Sequence, residues 1–316
     1  MILLWLAFII DFLFADPYWF PHPVRLMGNY ISFFEKTSRK IAKTKIALKF
    51  AGFFLAVSLV CFSFVIPWAV LKFAYTIHTF LGLFLELIFI WTCIALRCLD
   101  KEVMKIYQSL KERKIEKAKK QISYIVSRDT QSMDEIQIIK ATIETTAENT
   151  SDGIIAPLFF LFLGGAPLAL AYKAVNTMDS MVGYKNEKYI DFGWFPARLD
   201  DIANWIPARL SGFFMILWAF FIKKDWKNGL FILFRDHKKS KSPNAGYPEA
   251  ATAGILNIEL CGSSYYFGKL VEKETIGDNK KNLHYEHIKS AKNLMYGSVF
   301  LMLLCGTVIK IIFRWW

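Results

Sequence analysis

Six apolar segments separate the charged stretches of this 316-residue chain, and they restrict its fold more than any other feature. These segments are residues 1–14, 46–71, 77–96, 154–171, 206–222 and 295–313. A straight helix needs about 20 apolar residues to cross a bilayer, so the second, third and sixth segments are long enough. The other three are short. With 54% hydrophobic residues, the chain is too apolar for an ordinary soluble domain.

Two of the short segments contain features that break or strain a membrane helix. The fourth is interrupted by two prolines and two adjacent glycines, at Pro157, Gly164, Gly165 and Pro167. The fifth carries Arg209 in its first turn. Segments of this kind often line a buried cavity instead of facing lipid. If both are re-entrant, all polar motifs lie on one side of the membrane; if all six segments span, residues 172–205 lie on the opposite side. We favour a shared cavity open to the cytoplasm, and the sequence leaves both threadings open.

The predicted fold class is an all-α integral membrane protein with about four to six membrane segments, some short or re-entrant, and cytoplasmic helical loops. We expect a single membrane domain over residues 1–316, with a cytoplasmic helical insertion at 97–147 and a cytoplasmic amphipathic and polar segment at 223–294. Within the insertion, Ser132 and Glu135 have the spacing of a capping box and predict the start of a helix.

The net charge of +12 raises the question of a nucleic-acid partner. No binding motif and no basic–aromatic strip supports that interpretation. Six lysines and arginines between residues 36 and 49 precede an apolar span instead, as the positive-inside rule expects of a cytoplasmic loop. The sequence therefore predicts a multi-pass protein of the cytoplasmic (inner) cell membrane, in contact with the lipid bilayer and not with nucleic acid.

Four of the five cysteines lie in apolar runs without a CxxC pair, which favours inert thiols.

Two polar motifs lie close to the broken segments, at residues 172–184 and 197–210. Polar groups at membrane depth are costly, so they usually serve a function. In the first motif, Asn176 and Asp179 share one face of a helix with Ser180 and Gly183. Two further aspartates follow in the second motif, Asp200 and Asp201. Together with Asp179 they have the chemistry of a Mg²⁺ site, because Mg²⁺ prefers a few carboxylates with water and substrate phosphate.

Arginines and an asparagine accompany these aspartates. Arg198 and Arg209 have the geometry to grip a phosphate or a carboxylate, and Asn204 lies four residues after Asp200. The competing interpretations are structural ion pairs for the second motif and a solvated loop face for the first.

A third polar motif, residues 144–153, places Glu144, Glu148, Asn149 and Asp152 beside the fourth apolar segment. A capped helix end with solvated acids is an equally good interpretation.

Residues 242–254 combine a turn with a helix of small residues, which favours either close helix packing or close approach of a flat ligand. Residues 16–28 place Asp16, His22 and Arg25 among aromatic and proline residues, where an interfacial aromatic belt is the alternative.

Taken in order, these stretches resemble the CobD/CbiB family of membrane proteins, the adenosylcobinamide-phosphate synthases of cobalamin biosynthesis. Five blocks carry the resemblance: HPVRLMG (22–28), ENTSDGIIAPL (148–158), YKAVNTMDSMVGY (172–184), FGWFPARLDDIANWIPARL (192–210) and SPNAGYPEAA (242–251). One block alone would be weak, whereas five in order through nearly the whole chain are specific.

The resemblance implies a ligase that joins aminopropanol, or its O-phosphate, to a propionate carboxylate of adenosylcobyric acid. ATP and Mg²⁺ are the expected cofactors, although no P-loop is visible and the ATP site is unassigned. On this hypothesis Asp179, Asp200 and Asp201 bind Mg²⁺, and Glu144 or Glu148 is the base. The catalytic set is Glu144, Glu148, Asp152 and Asp179. The substrate-binding set is His22, Arg25, Asn149, Asn176, Arg198, Asn204, Arg209, Ser242 and Asn244.

Two other functions remain open from the sequence. A corrinoid-binding transporter would suit the broken segments, but no inverted repeat is visible. A non-catalytic membrane accessory protein would be expected to have lost the acids and arginines, which are all present here. An oligomer is compatible with the sequence.

Overall fold

The computed structural model describes residues 1–14, 17, 19–266 and 268–313, and 74% of these residues are helical. The α-helices in chain order are α1 Ile2–Phe14, α2 Pro23–Ile41, α3 Lys45–Ile77, α4 Thr79–Trp91, α5 Leu96–Lys111, α6 Ile115–Ile122, α7 Glu135–Thr150, α8 Ala156–Val182, α9 Trp194–Ala203, α10 Trp205–Phe221, α11 Trp226–Asp236, α12 Gly246–Leu256 and α13 Glu286–Ile312. A π-helical turn, Ser151–Ile155, follows α7, and a 3₁₀ turn, His237–Lys239, follows α11. The strands are β1 Leu260–Cys261, β2 Ser264–Tyr266, β3 Lys269–Val271 and β4 Thr275–Ile276.

Several of these helices are suited to a bilayer. In the described part of the chain, four helical stretches are long and apolar enough to cross it: Lys45–Ile77, Thr79–Lys111, Glu135–Val182 and Glu286–Ile312. Two shorter apolar helices are α1 and α10. The predicted all-α multi-pass membrane fold is therefore confirmed.

The chain divides into two compact units, and one of them comprises Met1–Ala95 and Ala156–Asn204. In this first unit α3 packs against α2, α4, α8 and α9, while α1 packs against α4 and α2 against α8. Large apolar side chains on α3 and α4 stay exposed, among them Phe54, Phe73 and Phe80. Such side chains suit contact with lipid, because an exposed apolar surface of this size is costly in water.

Helix α8 is broken in its middle, as the sequence predicts. Gly164 has φ −149° and ψ 22°, and Gly165 has φ 66° and ψ −164°, so neither has helical geometry. A positive φ of this kind is accessible to glycine without the steric cost that a side chain adds. Pro167 then starts the second half, where its missing N–H removes no helical hydrogen bond.

The second unit comprises Leu96–Ile155 and Trp205–Trp316. Helix α12 packs against α7, α10, α11 and α13, and all eleven of its positions except Tyr247 are buried. Ala250, Ala251 and Ala253 are fully buried and allow these helices to approach closely. Of the two interpretations of residues 242–254, the structure therefore supports close packing for the helical part.

The start of α7 differs from the prediction by two residues. Asp134, and not Ser132, caps the helix: its Oδ1 accepts from the Gln137 N–H at 2.8 Å, while Gln137 Oε1 accepts from the Asp134 N–H at 2.9 Å. The predicted capping box is therefore wrong in position, because an Asp–Gln pair two residues further on satisfies the same backbone groups. Ile139 and Ile143 of this helix are buried.

Two short antiparallel ribbons lie in the polar stretch before α13. Strand β1 pairs with β4, and β2 pairs with β3. They are too short to alter the fold class, but they place several ionisable side chains of the second unit.

Candidate functional site

Part of the predicted site forms a cluster in the first unit, defined by Asn176, Asp179, Asp200 and Asn204 and called the aspartate cluster here. Helix α8 contributes the first two, α9 carries Asp200, and Asn204 directly follows α9. Asn204 is fully buried and donates from Nδ2 to Asp200 Oδ2 at 3.0 Å. Its Oδ1 accepts from the Tyr172 hydroxyl at 2.8 Å. The asparagine therefore fixes the orientation of the Asp200 carboxyl group.

Asp200 is 8% exposed, and among the described residues its Oδ1 has no hydrogen-bond partner. Burial, together with the negative charge of Asp179, raises the pKa of Asp200 to about 7. The side chains of Asn204 and Asn176 act in the opposite direction. Gly183 leaves space for the Asp179 carboxylate, because a Cβ there would lie 2.0 Å from Oδ1. The cluster thus places a half-buried carboxyl group, Asp179, where its charge acts on the buried Asp200.

The third predicted metal ligand, Asp201, is held differently. Its Oδ2 lies 3.4 Å from Nη1 of Arg198, whose side chain is 64% exposed. Within the described residues, no three His, Cys, Asp or Glu side chains are arranged to hold a metal ion. Asp179, Asp200 and Asp201 therefore do not form a preformed three-carboxylate site, and their role as metal ligands stays a prediction.

The predicted glutamates belong to a second group of ionisable residues, in the second unit. We call Arg128, Glu144, Glu148, Glu249, Cys261 and Lys273 the glutamate cluster. Glu144 is 2% exposed, and both of its carboxylate oxygens are engaged. Its Oε2 accepts from Arg128 Nη2 at 2.6 Å, and its Oε1 accepts from the Cys261 backbone N–H at 2.7 Å.

Glu249 is the acid of this cluster that the sequence analysis did not single out. It lies on α12, is 7% exposed, and its Oε2 lies 3.7 Å from the Cys261 thiol. Burial raises the pKa of Glu249 well above its usual range, and the charges of Glu148 and Glu144 add to the shift. Lys273, which donates to the Tyr266 hydroxyl at 2.7 Å, and Arg128 oppose the shift with positive charge.

Some signal for one of these missed residues exists in the sequence. Glu249 is the single acid in the small-residue helix 246–256, where an ionisable group stands out. Arg128, Cys261 and Lys273 carry no comparable signal, because they lie in polar or irregular stretches without a motif.

Arg209 is placed by aromatic rings. Its guanidinium carbon lies 4.0 Å from the centre of the Trp205 ring and 4.3 Å from that of Tyr247. Its Nη1 also donates to the Trp205 carbonyl at 2.6 Å. These contacts fix the guanidinium plane and leave its other N–H groups for an anion.

The remaining predicted residues have local structural contacts. His22 caps α2, with Nδ1 accepting from the Val24 N–H at 3.2 Å, while Arg25 is exposed. Asn149 donates to the Thr145 carbonyl at 2.9 Å and is half-buried.

Ser242, Asn244 and Asp152 lie in turns. The Ser242 hydroxyl accepts from the N–H groups of Asn244 at 3.3 Å and Ala245 at 3.2 Å, just before α12. Asn244 is buried, and Asp152 is half-buried on the π-helical turn. The structure thus gathers one set of predicted residues in each unit and leaves His22, Arg25 and Ser242 in local capping or surface positions.

Known proteins give an independent comparison. The sequence model of the family described as "CobD/Cbib protein" matches residues 4–295. A protein of Clostridium tetani named "Cobalamin biosynthesis protein CobD" is 46% identical over 302 residues, covering 94% of each chain. Proteins of the same name from Clostridium perfringens and Photorhabdus laumondii are 46% and 41% identical, covering 99% and 97% of this chain and 98% and 96% of their own. No solved structure matches significantly. The chain therefore belongs to the CobD/CbiB family of cobalamin biosynthesis proteins.

Proposed function

We propose that this chain is a ligase that forms an amide between a propionate carboxylate of adenosylcobyric acid and the amine of aminopropanol or its O-phosphate. The product is adenosylcobinamide or its phosphate, and ATP drives the reaction. Family membership supports the substrate class. The observation that carries the reaction type is the interaction of the buried Asp200 with the half-buried Asp179, since two neighbouring carboxyl groups suit the metal-assisted phosphoryl transfer that activates a carboxylate.

Chemistry explains why activation is needed. A carboxylate is a poor acyl donor because oxide would have to leave, whereas an acyl phosphate releases phosphate. The charge that develops during transfer of the phosphoryl group requires positive partners. Arg198, which has an exposed guanidinium and belongs to the same unit as the aspartate cluster, is the arginine suited to this task.

The aspartate cluster fits Mg²⁺ better than a metal that needs three or four protein ligands. The Asp200 Oδ1 atom lacks a hydrogen-bond partner among the described residues, Asp179 adds a second carboxylate, and Asn176 lies beside them. Mg²⁺ is commonly bound by one or two carboxylates, with water and substrate phosphate completing its shell. When bound, it would neutralise charge on the transferred phosphoryl group. Asn204 would keep Asp200 in its binding orientation.

We place the enzyme in the cytoplasmic membrane, in contact with lipid through its apolar helices. The positively charged residues 36–49 support this orientation. ATP is proposed from the energetics of amide formation, and its binding residues are not assigned.

The direct test is product formation by the full chain in detergent or nanodiscs. Adenosylcobyric acid, the amino alcohol phosphate and ATP with Mg²⁺ are supplied, and amide product is measured by mass spectrometry. Asp179→Asn and Asp200→Asn should each lower kcat by roughly 10²–10³-fold, the scale for loss of an electrostatic catalytic group. Glu187→Gln, an exposed acid of the same unit, is the control and should keep full activity. Corrinoid binding by the wild type without amide, or full activity in both variants, would refute the proposal.

The broken helix α8 is the one observation that favours a transporter instead, because discontinuous helices often line transport pathways. Proteoliposomes that accumulate corrinoid without chemical change would select that function. Conversion of the corrinoid to its amide selects the ligase.

A further inference from the structure

Glu249 is poorly satisfied for a buried acid. It is 7% exposed, and among the described residues the Cys261 thiol is its only hydrogen-bond donor, with 3.7 Å between sulfur and Oε2. A thiol is a weak donor, whereas buried carboxyl groups usually accept strong hydrogen bonds or ion pairs. Helix α12 holds Glu249 in this position, because the flanking Pro248 and Ala250 are buried. A rigid helix thus presents an under-bonded acid.

A second buried polar group in the same unit also lacks an adequate hydrogen-bond partner among the described residues. Ser151 is 1% exposed, and no described residue bonds its hydroxyl. It follows Glu148 by three residues, at the start of the π-helical turn. The Glu148 side chain is half-buried, and the charges of Arg128, Lys273 and Glu144 act on it. A polar ligand beside Glu148 would give these groups the partners that the protein does not supply.

In contrast to Glu249, Glu144 has a hydrogen-bond donor on each carboxylate oxygen, because Arg128 and the Cys261 N–H both donate to it. Glu144 therefore holds the Arg128 side chain and the Cys261 backbone in place. The charged and titratable groups that face Glu249 come from four segments. They are Glu144 and Glu148 on α7, Arg128 before α7, Cys261 on β1 and Lys273 after β3.

We propose that Glu249 is the catalytic group that accepts the proton of the amine substrate, with Glu144 and Arg128 as positioning residues. This inference rests on the ligase function proposed above. The ammonium nitrogen gives one proton to the Glu249 carboxylate and becomes a free amine. The amine lone pair then forms the C–N bond with the acyl phosphate, and the C–O bond to phosphate breaks. The second nitrogen proton leaves with the phosphate, so the amide is neutral.

The electrostatics of the cluster suit this step. An alkylammonium resembles a lysine side chain, with a pKa of about 10.4, and an ordinary glutamate has a pKa of about 4.3, so transfer is uphill by about six units. Burial and the neighbouring acids raise the pKa of Glu249 and shorten that gap. The same negative charges favour entry of the ammonium group.

Hydroxylamine separates this role from carboxylate activation. Its nitrogen is unprotonated at neutral pH, so it attacks an acyl phosphate without a base and gives a hydroxamate. We would compare the wild type with Glu249→Gln, and use Glu274→Gln, an exposed acid after β3, as the matched control. Each protein is supplied with adenosylcobyric acid, ATP and Mg²⁺, and with either the amino alcohol phosphate or hydroxylamine.

We expect Glu249→Gln to lower amide formation by roughly 10²–10⁴-fold, the range for a general base, while hydroxamate formation stays within about threefold of wild type. The rate that remains should rise with pH as free amine becomes abundant. Glu274→Gln should match the wild type in both assays. Retention of amide formation by Glu249→Gln overturns the proposal. Equal loss of both products also overturns it, since Glu249 would then act before the amine. Absence of both products in the wild type instead rejects the ligase function.

Discussion

The ion pair of Arg128 and Glu144 gives a sharp test of how the second unit is stabilised. The side chains are 14% and 3% exposed, and the two charged groups are 2.6 Å apart. Arg128→Met keeps the aliphatic bulk and removes the charge. Glu144 then remains buried beside Glu148 and Glu249, with the Cys261 N–H as its last donor. Breaking one half of a buried pair costs about 3–5 kcal/mol. We expect about 3 kcal/mol here because that donor remains.

Thermal unfolding of the purified protein in detergent measures this cost. For a unit of 150–250 residues, 1 kcal/mol shifts Tm by about 2–4 °C, so the expected drop is about 6–12 °C. Glu144→Gln is the companion variant, because its amide oxygen still accepts from the Cys261 N–H. The double variant should recover most of the loss, with a coupling energy of at least about 1 kcal/mol. A drop below about 2 °C, or losses that simply add in the double variant, would refute the reasoning.

Three further predictions concern the first unit. The pKa of Asp200 is raised from 3.8 to about 7 in the folded state, so the free energy of unfolding should fall as pH rises from about 4 to 7, by at most about 4 kcal/mol. The measurement is Tm as a function of pH for the wild type and for Asp200→Asn. A variant curve that keeps the wild-type slope contradicts this prediction. Gly165→Ala should cost about 1–3 kcal/mol in chemical unfolding because φ is 66°, whereas Gly28→Ala, with its nearest contact at 3.5 Å, should be neutral or slightly stabilising. Asn204→Ala should lower the free energy of unfolding by about 2–4 kcal/mol, because the Tyr172 hydroxyl and the Asp200 carboxyl each lose a buried partner. An unchanged denaturation midpoint would show that other groups replace the Asn204 side chain.

Much of the fold follows from local sequence patterns. Length and hydropathy identify the long membrane helices, and the adjacent glycines at 164 and 165 identify the break in α8. The pairing of Asp200 with Asn204 follows from helical spacing, because residues four apart share a face. The π-helical turn at 151–155 was not predictable, since only a local change in hydrogen bonding distinguishes it from an α-helix.

The glutamate cluster depends on contacts that are distant along the chain. Glu144 accepts from the Cys261 N–H, which is 117 residues away, and Glu249 lies on α12 but interacts with acids of α7. Spacing within a helix contains no information about such pairs. For Asp201, proximity to Asp200 in sequence predicts a common metal site, whereas adjacent helical residues point in different directions and Asp201 forms an ion pair with Arg198. Its role as a metal ligand stays a prediction.

Both units are discontinuous along the polypeptide, and this has a consequence for biosynthesis. Helix α7 emerges from the ribosome well before α12 and α13, against which it packs in the finished protein. More than a hundred further residues must therefore be translated before the helices that cover its apolar residues Ile139 and Ile143 are complete. During that interval they are a natural binding target for chaperones or the insertion machinery, and the second unit can acquire its full core only when the last helix has been made.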